Sequence, residues 1–227
     1  LIDNSLIIYD IKLSFISRNF ISNEINFLFT IFCILVYMNA FNMFDGINLQ
    51  SSLYSLLIFS FINIIFVNSL FINILIISLV FFSYLNFKNK AFLGDSGSNL
   101  VGFWVAWSAI YASQSEIYSI QPITMLWFVA IPFLDCIGLI FSRIKKGKSW
   151  TAAGRDHVHH KLMLKFSPEG TLLIILIVTF ITGIFGIYIE NNSSSSISFL
   201  LFATYGAVYY VIANNYDKPK DKLKKNV

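Results

Sequence analysis

The amino-acid sequence predicts an all-α, polytopic transmembrane helical bundle, and three observations support this prediction. Hydrophobic residues make up 56% of the 227 residues and only 12% are charged, whereas soluble domains carry roughly 25% charged residues. The mean hydropathy is +0.70. Several apolar stretches approach the roughly 20 residues that a helix needs to cross a bilayer. Because the alternating pattern of a membrane barrel is absent, helices are the expected spanning structure.

About seven spans are predicted, with six as the alternative count. Two of the apolar stretches are short and need flanking residues to complete a span. The whole chain, residues 1–227, is expected to form a single integral membrane domain that ends in a basic tail at residues 214–227. The predicted spans cover roughly residues 26–44, 53–67, 70–87, 100–112, 123–141, 172–189 and 197–213.

The distribution of basic residues predicts the orientation. Lys and Arg occur around residues 88–90, crowd residues 143–161 and recur in the tail, where residues 218–225 hold five lysines. The loops on the other side of the predicted bundle contain no Lys or Arg. Because basic loops stay in the cytoplasm, we expect the first set of loops and the C-terminus to be cytoplasmic. The tail is typical of a segment that binds anionic membrane lipids, and no nucleic-acid partner is expected.

Three polar segments lie at the predicted cytoplasmic ends of the spans. Residues 39–46 read Asn-Ala-Phe-Asn-Met-Phe-Asp-Gly, residues 92–98 read Phe-Leu-Gly-Asp-Ser-Gly-Ser, and residues 155–160 read Arg-Asp-His-Val-His-His. Ionisable residues at a membrane boundary are expensive unless they have a function. We therefore expect the three segments to form one shared site.

The residue types in these segments indicate the chemistry of that site. Asn42 and Asp45 are three residues apart and share one face of a helix, and Asp95 lies in a glycine-rich turn. Carboxylate and amide oxygens suit Mg²⁺ or Mn²⁺, which usually keep positions free for water and substrate phosphates. Arg155 and the histidines could hold phosphate charge. This combination predicts phosphoryl transfer to a lipid.

Each segment also has an ordinary structural interpretation. A Gly-Asp-x-Gly turn is often only a helix cap, buried asparagines often bond neighbouring helices, and a histidine cluster can be a solvated loop. A transporter is a further alternative, but it would carry ionisable residues in mid-span. Asp135 is the main acidic residue in such a position. The occurrence of all three segments on one side favours a catalytic site.

The chain resembles the polyprenyl-phosphate N-acetylhexosamine-1-phosphate transferases of glycosyltransferase family 4. Residues 39–46 are similar to the family's Asn-Ala-x-Asn-x-x-Asp-Gly motif, and residues 92–98 are similar to its Phe-x-Gly-Asp-x-Gly-Ser motif. The segments at 131–135, 143–149 and 155–160 resemble, in order, the loop of the branch that uses UDP-N-acetylglucosamine. The peptidoglycan branch, which transfers phospho-MurNAc-pentapeptide, has a different histidine segment and ranks second.

The resemblance implies roles for individual residues. The implied catalytic residues are Asp45, Asp95 and His157, and the implied metal ligands are Asn42 and Asp95. Phe92 would pack against the uracil ring. The implied substrate-binding residues are Asn39, Asn48, Phe92, Arg155, His159 and His160.

The implied reaction transfers N-acetylhexosamine-1-phosphate, here GlcNAc-1-phosphate, from a UDP-sugar to undecaprenyl phosphate and releases UMP. The cofactor would be Mg²⁺, with Mn²⁺ as a substitute. The implied location is the bacterial cytoplasmic (inner) membrane, with the active site on its cytoplasmic face, where the reaction initiates cell-envelope glycan synthesis. The assembly state is left open, a homodimer included.

Two departures from the family pattern leave a catalytically inactive paralogue as an alternative. The family usually continues Asp-Gly-x-Asp-Gly, whereas this chain has Asn48 and Leu49 at the last two positions. An asparagine can still donate and accept hydrogen bonds at a uracil edge. The family's earlier Asp-Asp motif has no counterpart before Asn39. Because the chain begins at Leu1 rather than Met, we expect that an N-terminal part is missing and that this fragment alone is inactive.

Overall fold

The computed structural model describes residues 7–13, 22–65, 69–115, 120–145, 147, 149 and 156–215. All regular secondary structure in these residues is helical, which confirms the predicted fold class. In chain order, the helices of the described residues are α1 (Asn23–Phe44), α2 (Gln50–Ile65), α3 (Leu70–Phe87), α4 (Gly94–Gln114), α5 (Pro122–Phe128), α6 (Ala130–Lys145), α7 (Val158–Leu162), α8 (Pro168–Asn192) and α9 (Ser195–Asn215).

The number of membrane-spanning helices is lower than predicted. Among the described residues, α1, α3, α8 and α9 are long and apolar enough to cross a membrane, and α5 with α6 would give a fifth if this bent pair is one span. α2 is apolar but only 16 residues long, and α4 begins with a polar turn that includes Asp95 and Ser98. The predicted seven spans, and the alternative of six, are therefore corrected to four or five. Helices packed among other helices need neither the full length nor the apolar composition of a lipid-facing span.

The four qualifying helices expose large apolar side chains. Phe32 of α1, Phe81 of α3, Ile181 of α8 and Leu200 of α9 are 62%, 65%, 59% and 64% exposed. An apolar surface distributed over four long helices far exceeds the patches that soluble monomers tolerate. The surface is that of a protein surrounded by lipid.

A glycine brings α1 and α4 into close contact. A Cβ atom on Gly102 would lie only 3.0 Å from the Cβ of Phe41 and 3.3 Å from the Cα of Met38. Gly102 is one helical turn beyond Ser98, and Met38 is one turn before Asn42. The close approach therefore places the end of α1 beside the beginning of α4.

The predicted span at residues 123–141 is broken rather than straight. α5 and α6 meet at an angle of 86°. Pro132 has no N–H to donate to the carbonyl of Phe128, four residues earlier, and a proline inside a helix breaks or bends it. The hydroxyl of Tyr54, a fully buried residue of α2, donates to that carbonyl over 3.2 Å. The predicted span is therefore bent between α5 and α6, and a side chain of another helix satisfies the carbonyl that Pro132 leaves without a partner.

The opposite end of the bundle has its own polar contacts. The side-chain oxygen of Gln114, at the end of α4, accepts from the backbone N–H groups of Tyr9 and Asp10 over 3.0 Å and 3.2 Å. Glu190 of α8 accepts from the backbone N–H of Gln121, just before α5, over 3.2 Å. Asp10 thus lies at the other end of α4 from Asp95.

Tyr54→Phe tests the role assigned to the tyrosine hydroxyl. The substitution leaves the Phe128 carbonyl buried without a donor, which costs about 1–3 kcal/mol. We expect a lower midpoint of thermal unfolding for the detergent-solubilised protein. Tyr84→Phe, at a position that is 60% exposed, should leave the midpoint unchanged. Equal midpoints for Tyr54→Phe and the parent protein would refute the assigned role.

Candidate active site

The first contact of the candidate site joins α1 to α4. Ser98, in the first turns of α4 and fully buried, donates its hydroxyl hydrogen to the side-chain oxygen of Asn42 in the last turn of α1. The sequence placed both residues in polar motifs, but it did not single out Ser98. The serine of this motif therefore has a structural role, since its hydroxyl orients the Asn42 amide oxygen that was predicted to bind metal.

Two carboxylates lie next to this contact. Asp45 follows α1 directly and is half-buried, while the side chain of Asp95 is exposed in the first turn of α4. Burial raises the pKa of Asp45, the Ser51 hydroxyl lowers it, and the negative charge of Asp95 raises it further. Asp45 also lies at the C-terminal end of a helix, where the helix dipole favours cations.

These donors fit a hard divalent cation. Asn42, Asp45 and Asp95 supply one amide and two carboxylate oxygens, the ligand types that Mg²⁺ takes together with water and phosphate oxygens. A cation between the carboxylates would also relieve the repulsion that Asp45 experiences. Within the part of the chain that the structure describes, no three His, Cys, Asp or Glu side chains form a metal-binding group. The fit therefore depends on the amide of Asn42 and on exogenous ligands.

A cleft of about 160 Å³ opens beside the carboxylates. Three of the predicted site residues, Asp45, Asn48 and Phe92, line it together. Phe92 is 66% exposed, so its ring is available to a ligand rather than packed in the core. The lining residues are Asp45, Gly46, Ile47, Asn48, Leu49, Ser51, Ser52, Phe82, Asn86, Phe92, Leu93 and Gly94.

Buried Asn86, at the end of α3, holds the two loops that form the cleft. Its side-chain oxygen accepts from the backbone N–H of Leu49 over 2.7 Å, and its amide donates to the Ala91 carbonyl over 2.8 Å. The amide of Asn48 donates to the side-chain oxygen of Asn89 over 2.6 Å. Asn86 was not among the residues predicted from the sequence, where its only signal was an amide at the polar end of an apolar helix.

The backbone conformation of Leu49 explains why the family that this chain resembles usually has glycine at this position. Its φ angle is +69°, in the left-handed region that costs a residue with a side chain roughly 1–2 kcal/mol. The bond from the Leu49 N–H to Asn86 holds the loop in this conformation. A hydrogen bond to a neighbouring helix thus supports the strained conformation that Leu49 adopts where the family usually has glycine.

The histidine segment reaches the site through His159. This residue is 1% exposed, and a Cβ atom on Gly46 would lie 2.0 Å from its Nε2 atom. Gly46 is thus required by close packing, because the imidazole fills the place of a side chain. The ring of His157 is parallel to that of His159 with centroids 5.8 Å apart, and His160 lies 4.2 Å from His159 on the same measure.

Asp135 anchors the beginning of the histidine segment. One carboxylate oxygen lies 2.8 Å from Nδ1 of His157, and the other accepts from the backbone N–H of Val158 over 3.0 Å and from the Tyr209 hydroxyl over 3.2 Å. Asp135 was recognised in the sequence as an acidic residue in mid-span, but no role was predicted for it. The signal was present, because a buried carboxylate in an apolar segment needs partners.

The remaining predicted site residues either do not line the cleft or lie outside the described residues. Asn39 is exposed and its amide donates to the Leu35 carbonyl of its own helix over 2.8 Å, and it does not line the cleft. His159 packs against the Gly46 turn instead of lining the cleft. Arg155 and the lysine-rich tail lie outside the described residues. The structure thus joins Asn42, Asp45, Asn48, Phe92 and Asp95 in one region and brings the histidine segment against it.

Gly46→Ala should displace the histidine segment. The new methyl group would overlap the His159 ring, and overpacking of this kind costs typically about 1–3 kcal/mol. We expect a lower midpoint of thermal unfolding, and the double variant Gly46→Ala/His159→Ala should recover part of the loss. Gly170→Ala is the matched control, because a Cβ there has only ordinary contacts, the nearest at 3.5 Å. A tolerated Gly46→Ala would contradict the proposed packing.

Burial of His159 should make stability depend on pH. Burial, followed by the electrostatic influence of His160 and His157, lowers the His159 pKa from 6.5 to about 4, although Asp135 opposes the shift. The unfolded chain therefore binds a proton between these pH values while the folded chain does not, so stability falls as the pH drops through this range. Thermal unfolding midpoints measured from pH 7 to pH 4 should decline less steeply for His159→Gln. Equal slopes would show that His159 is not buried as a neutral ring.

Comparison with known proteins gives the site a family. Residues 4–113 match the profile of glycosyl transferase family 4. Three similar curated proteins carry the name undecaprenyl-phosphate alpha-N-acetylglucosaminyl 1-phosphate transferase. The protein of Yersinia pestis is 29% identical over 184 residues (73% of this chain and 48% of the relative). The protein of Salmonella typhi is 30% identical over 171 residues (70% and 47%), and that of Haemophilus influenzae is 35% identical over 125 residues (52% and 35%).

The chain spans about half the length or less of these relatives. The comparison with solved structures gave no significant match. The family match includes α1 and most of α4, together with the two motifs that contribute Asn42, Asp45, Phe92 and Asp95. The sequence similarity and the geometry therefore concern the same residues. Over this matched region, the chain is similar to glycosyl transferase family 4.

Proposed function

We propose that the intact protein transfers N-acetylhexosamine-1-phosphate, most simply GlcNAc-1-phosphate, from a UDP-sugar to undecaprenyl phosphate. The names of the similar proteins state this acceptor and this sugar for those proteins. The observation that carries the proposal is the convergence of Asn42, Asp45 and Asp95 beside a cleft that Phe92 lines.

The reaction is a phosphoryl-type substitution. An oxygen of the lipid phosphate attacks the phosphorus bonded to the sugar, the bond from that phosphorus to the UMP oxygen breaks, and UMP leaves with the electron pair. The products are undecaprenyl-diphosphate-sugar and UMP. Positioning and neutralisation of charge account for most of the catalysis in reactions of this class.

The residues of this chain have separable tasks in the proposal. Phe92, exposed at the cleft, stacks on the base, and Asn48 offers its amide to the uracil edge. The amide of Asn48 already bonds Asn89, which fixes its orientation before a ligand arrives. Mg²⁺, or Mn²⁺ in its place, would be held by Asn42, Asp45 and Asp95 and would supply positive charge to the pyrophosphate.

The histidine segment completes the proposed site from the other side. His157 is only 7% exposed, and in the proposal its imidazole binds a phosphate oxygen or accepts the proton of the lipid phosphate. His159 acts through packing, since it holds the segment against Gly46 and so against the turn that carries Asp45. Arg155 and His160 are proposed to contact phosphate and sugar groups.

The proposed location is the bacterial cytoplasmic membrane, with the site on the cytoplasmic face. Several apolar helices support membrane embedding. The basic segments near the site, including Lys88, Lys90 and Arg143, support the orientation. The opposite end, around Gln114 and Glu190, has few basic residues, and Lys12 is the exception within the described part of the chain.

UMP release provides the test. The intact protein in detergent should release UMP from UDP-GlcNAc only when both undecaprenyl phosphate and Mg²⁺ are present. Asp95→Asn should lower the rate by a factor on the order of 10² or more, because it removes a carboxylate from the charge-neutralising set. Asp10→Asn, at the other end of α4, is the matched control and should retain the parent rate.

The outcomes separate the alternatives. Parent activity in Asp95→Asn would refute the assigned site. A folded protein that releases no UMP from any UDP-acetamido sugar would be a catalytically inactive paralogue, with Asn48 as the first position to restore to Asp. Activity only with UDP-MurNAc-pentapeptide would indicate the peptidoglycan reaction instead.

A further inference from the structure

One buried carboxylate outside the cleft, that of Asp135, has three hydrogen-bond partners. Asp135 of α6 is 4% exposed, and an isolated ionised carboxylate in such surroundings is strongly unfavourable. Its two oxygens are engaged by groups from two other parts of the chain, the histidine segment and α9. The arrangement therefore connects the last helix of the described chain with the candidate site.

The two oxygens of Asp135 have different partners. Oδ1 accepts from the Val158 backbone N–H over 3.0 Å and from the Tyr209 hydroxyl over 3.2 Å. Oδ2 lies 2.8 Å from Nδ1 of His157. A carboxylate accepts hydrogen bonds, so in the pairing that we propose the Nδ1 atom carries the hydrogen. Nε2 is then the ring nitrogen that holds a lone pair.

We propose that Asp135 is a positioning residue that fixes the orientation and the tautomer of His157, and that Tyr209 supports Asp135 in this role. Asp135 itself does not touch substrate. It leaves Nε2 of His157 as the atom that binds a phosphate oxygen or accepts a proton from the lipid phosphate. The proposal rests on the proposed transferase function, in which His157 is a catalytic residue.

The geometry separates positioning from simple support of the backbone. A residue that only anchored the loop would need the bond to the Val158 N–H and no more. The second oxygen instead reaches the ring of the preceding residue, and a carboxylate behind an imidazole is a recurrent way to set which nitrogen is protonated. The side chain of Asp135 thus holds both the ring of His157 and the main chain of the next residue, Val158.

Asp135→Asn is the decisive substitution because it changes only one of these tasks. The Asn oxygen can still accept from Val158 and Tyr209. Its amide, however, would donate to Nδ1 of His157 and so favour the tautomer protonated at Nε2. We expect the rate of UMP release to fall by about 10- to 100-fold, the usual effect of removing a carboxylate that orients a functional histidine, with little change in the thermal unfolding midpoint.

Nitrogen NMR reads the tautomer directly. The chain has only three histidines, so ¹⁵N-histidine labelling gives few signals, and His157→Ala identifies that of His157. In the parent protein Nδ1 of His157 should have the shift of a protonated nitrogen and Nε2 that of an unprotonated one. Asp135→Asn should reverse the two. Unchanged shifts would overturn the proposal even if activity were lost.

A double-mutant cycle tests whether Asp135 acts through His157. Asp135→Asn should have no further effect, within about twofold, on a protein that already carries His157→Ala. The same fractional loss in both backgrounds would overturn the proposal, because Asp135 would then act on something else. If His157→Ala turns over too slowly to measure, the NMR result decides.

Tyr209 has a matched control on the same helix. Tyr209→Phe removes one of three bonds to Asp135 and should lower the rate by about two- to fivefold, on the scale of one neutral hydrogen bond. Tyr205→Phe, one helical turn earlier and packed on Trp127, should leave it unchanged. Equal rates for both variants would overturn the role of Tyr209.

The failure of this proposal differs from failure of the proposed function. A parent protein that transfers sugar phosphate while Asp135→Asn transfers it equally well overturns only the role of Asp135. A folded parent protein without any transfer overturns the function, and the NMR measurement still decides whether Asp135 sets the His157 tautomer.

Discussion

The close packing of α1 on α4 is the constraint on which the rest of the candidate site depends. Gly102 removes the side chain that would keep the helices apart, and Phe41 and Met38 occupy that space. One turn further along, Ser98 bonds Asn42. Because the two helices are fixed there, Asp45, which follows α1, and Asp95, in the first turn of α4, are held near one another despite their repulsion. The divalent cation that we propose for this site would relieve the repulsion between the two carboxylates.

The histidine segment depends on a second set of contacts, formed after the helices are in place. His159 enters the space above Gly46, and Asp135 holds His157 and Val158 from behind. Asp135 can do this because α6 turns away from α5 by 86°. In a straight span, α6 would continue in the direction of α5. The bend in turn relies on Pro132 and on the Tyr54 hydroxyl. The broken helix is therefore part of the support of the site.

The sequence determined a large part of this picture. Composition and apolar length indicated a helical membrane protein, since these are local properties that each helix satisfies by itself. The three polar segments were recognised from residue type and spacing, and Asn42, Asp45, Asn48, Phe92 and Asp95 do come together. The resemblance to a family could be predicted because the motifs contain the donors that the chemistry requires.

Only the tertiary structure decided how many helices span the membrane and what supports the site. A helix surrounded by protein can be short or polar, so the length of an apolar run did not reveal that α2 and α4 fall outside the qualifying spans. The roles of Ser98, Asn86 and Asp135 depend on partners 56, 37 and 22 residues away along the chain. The sequence by itself thus determined the chemical groups of the site and the class of fold, whereas side-chain contacts between distant segments decided their orientation. Hydrogen bonds and close packing across such distances depend on the path of the folded chain, which no local pattern of residues specifies.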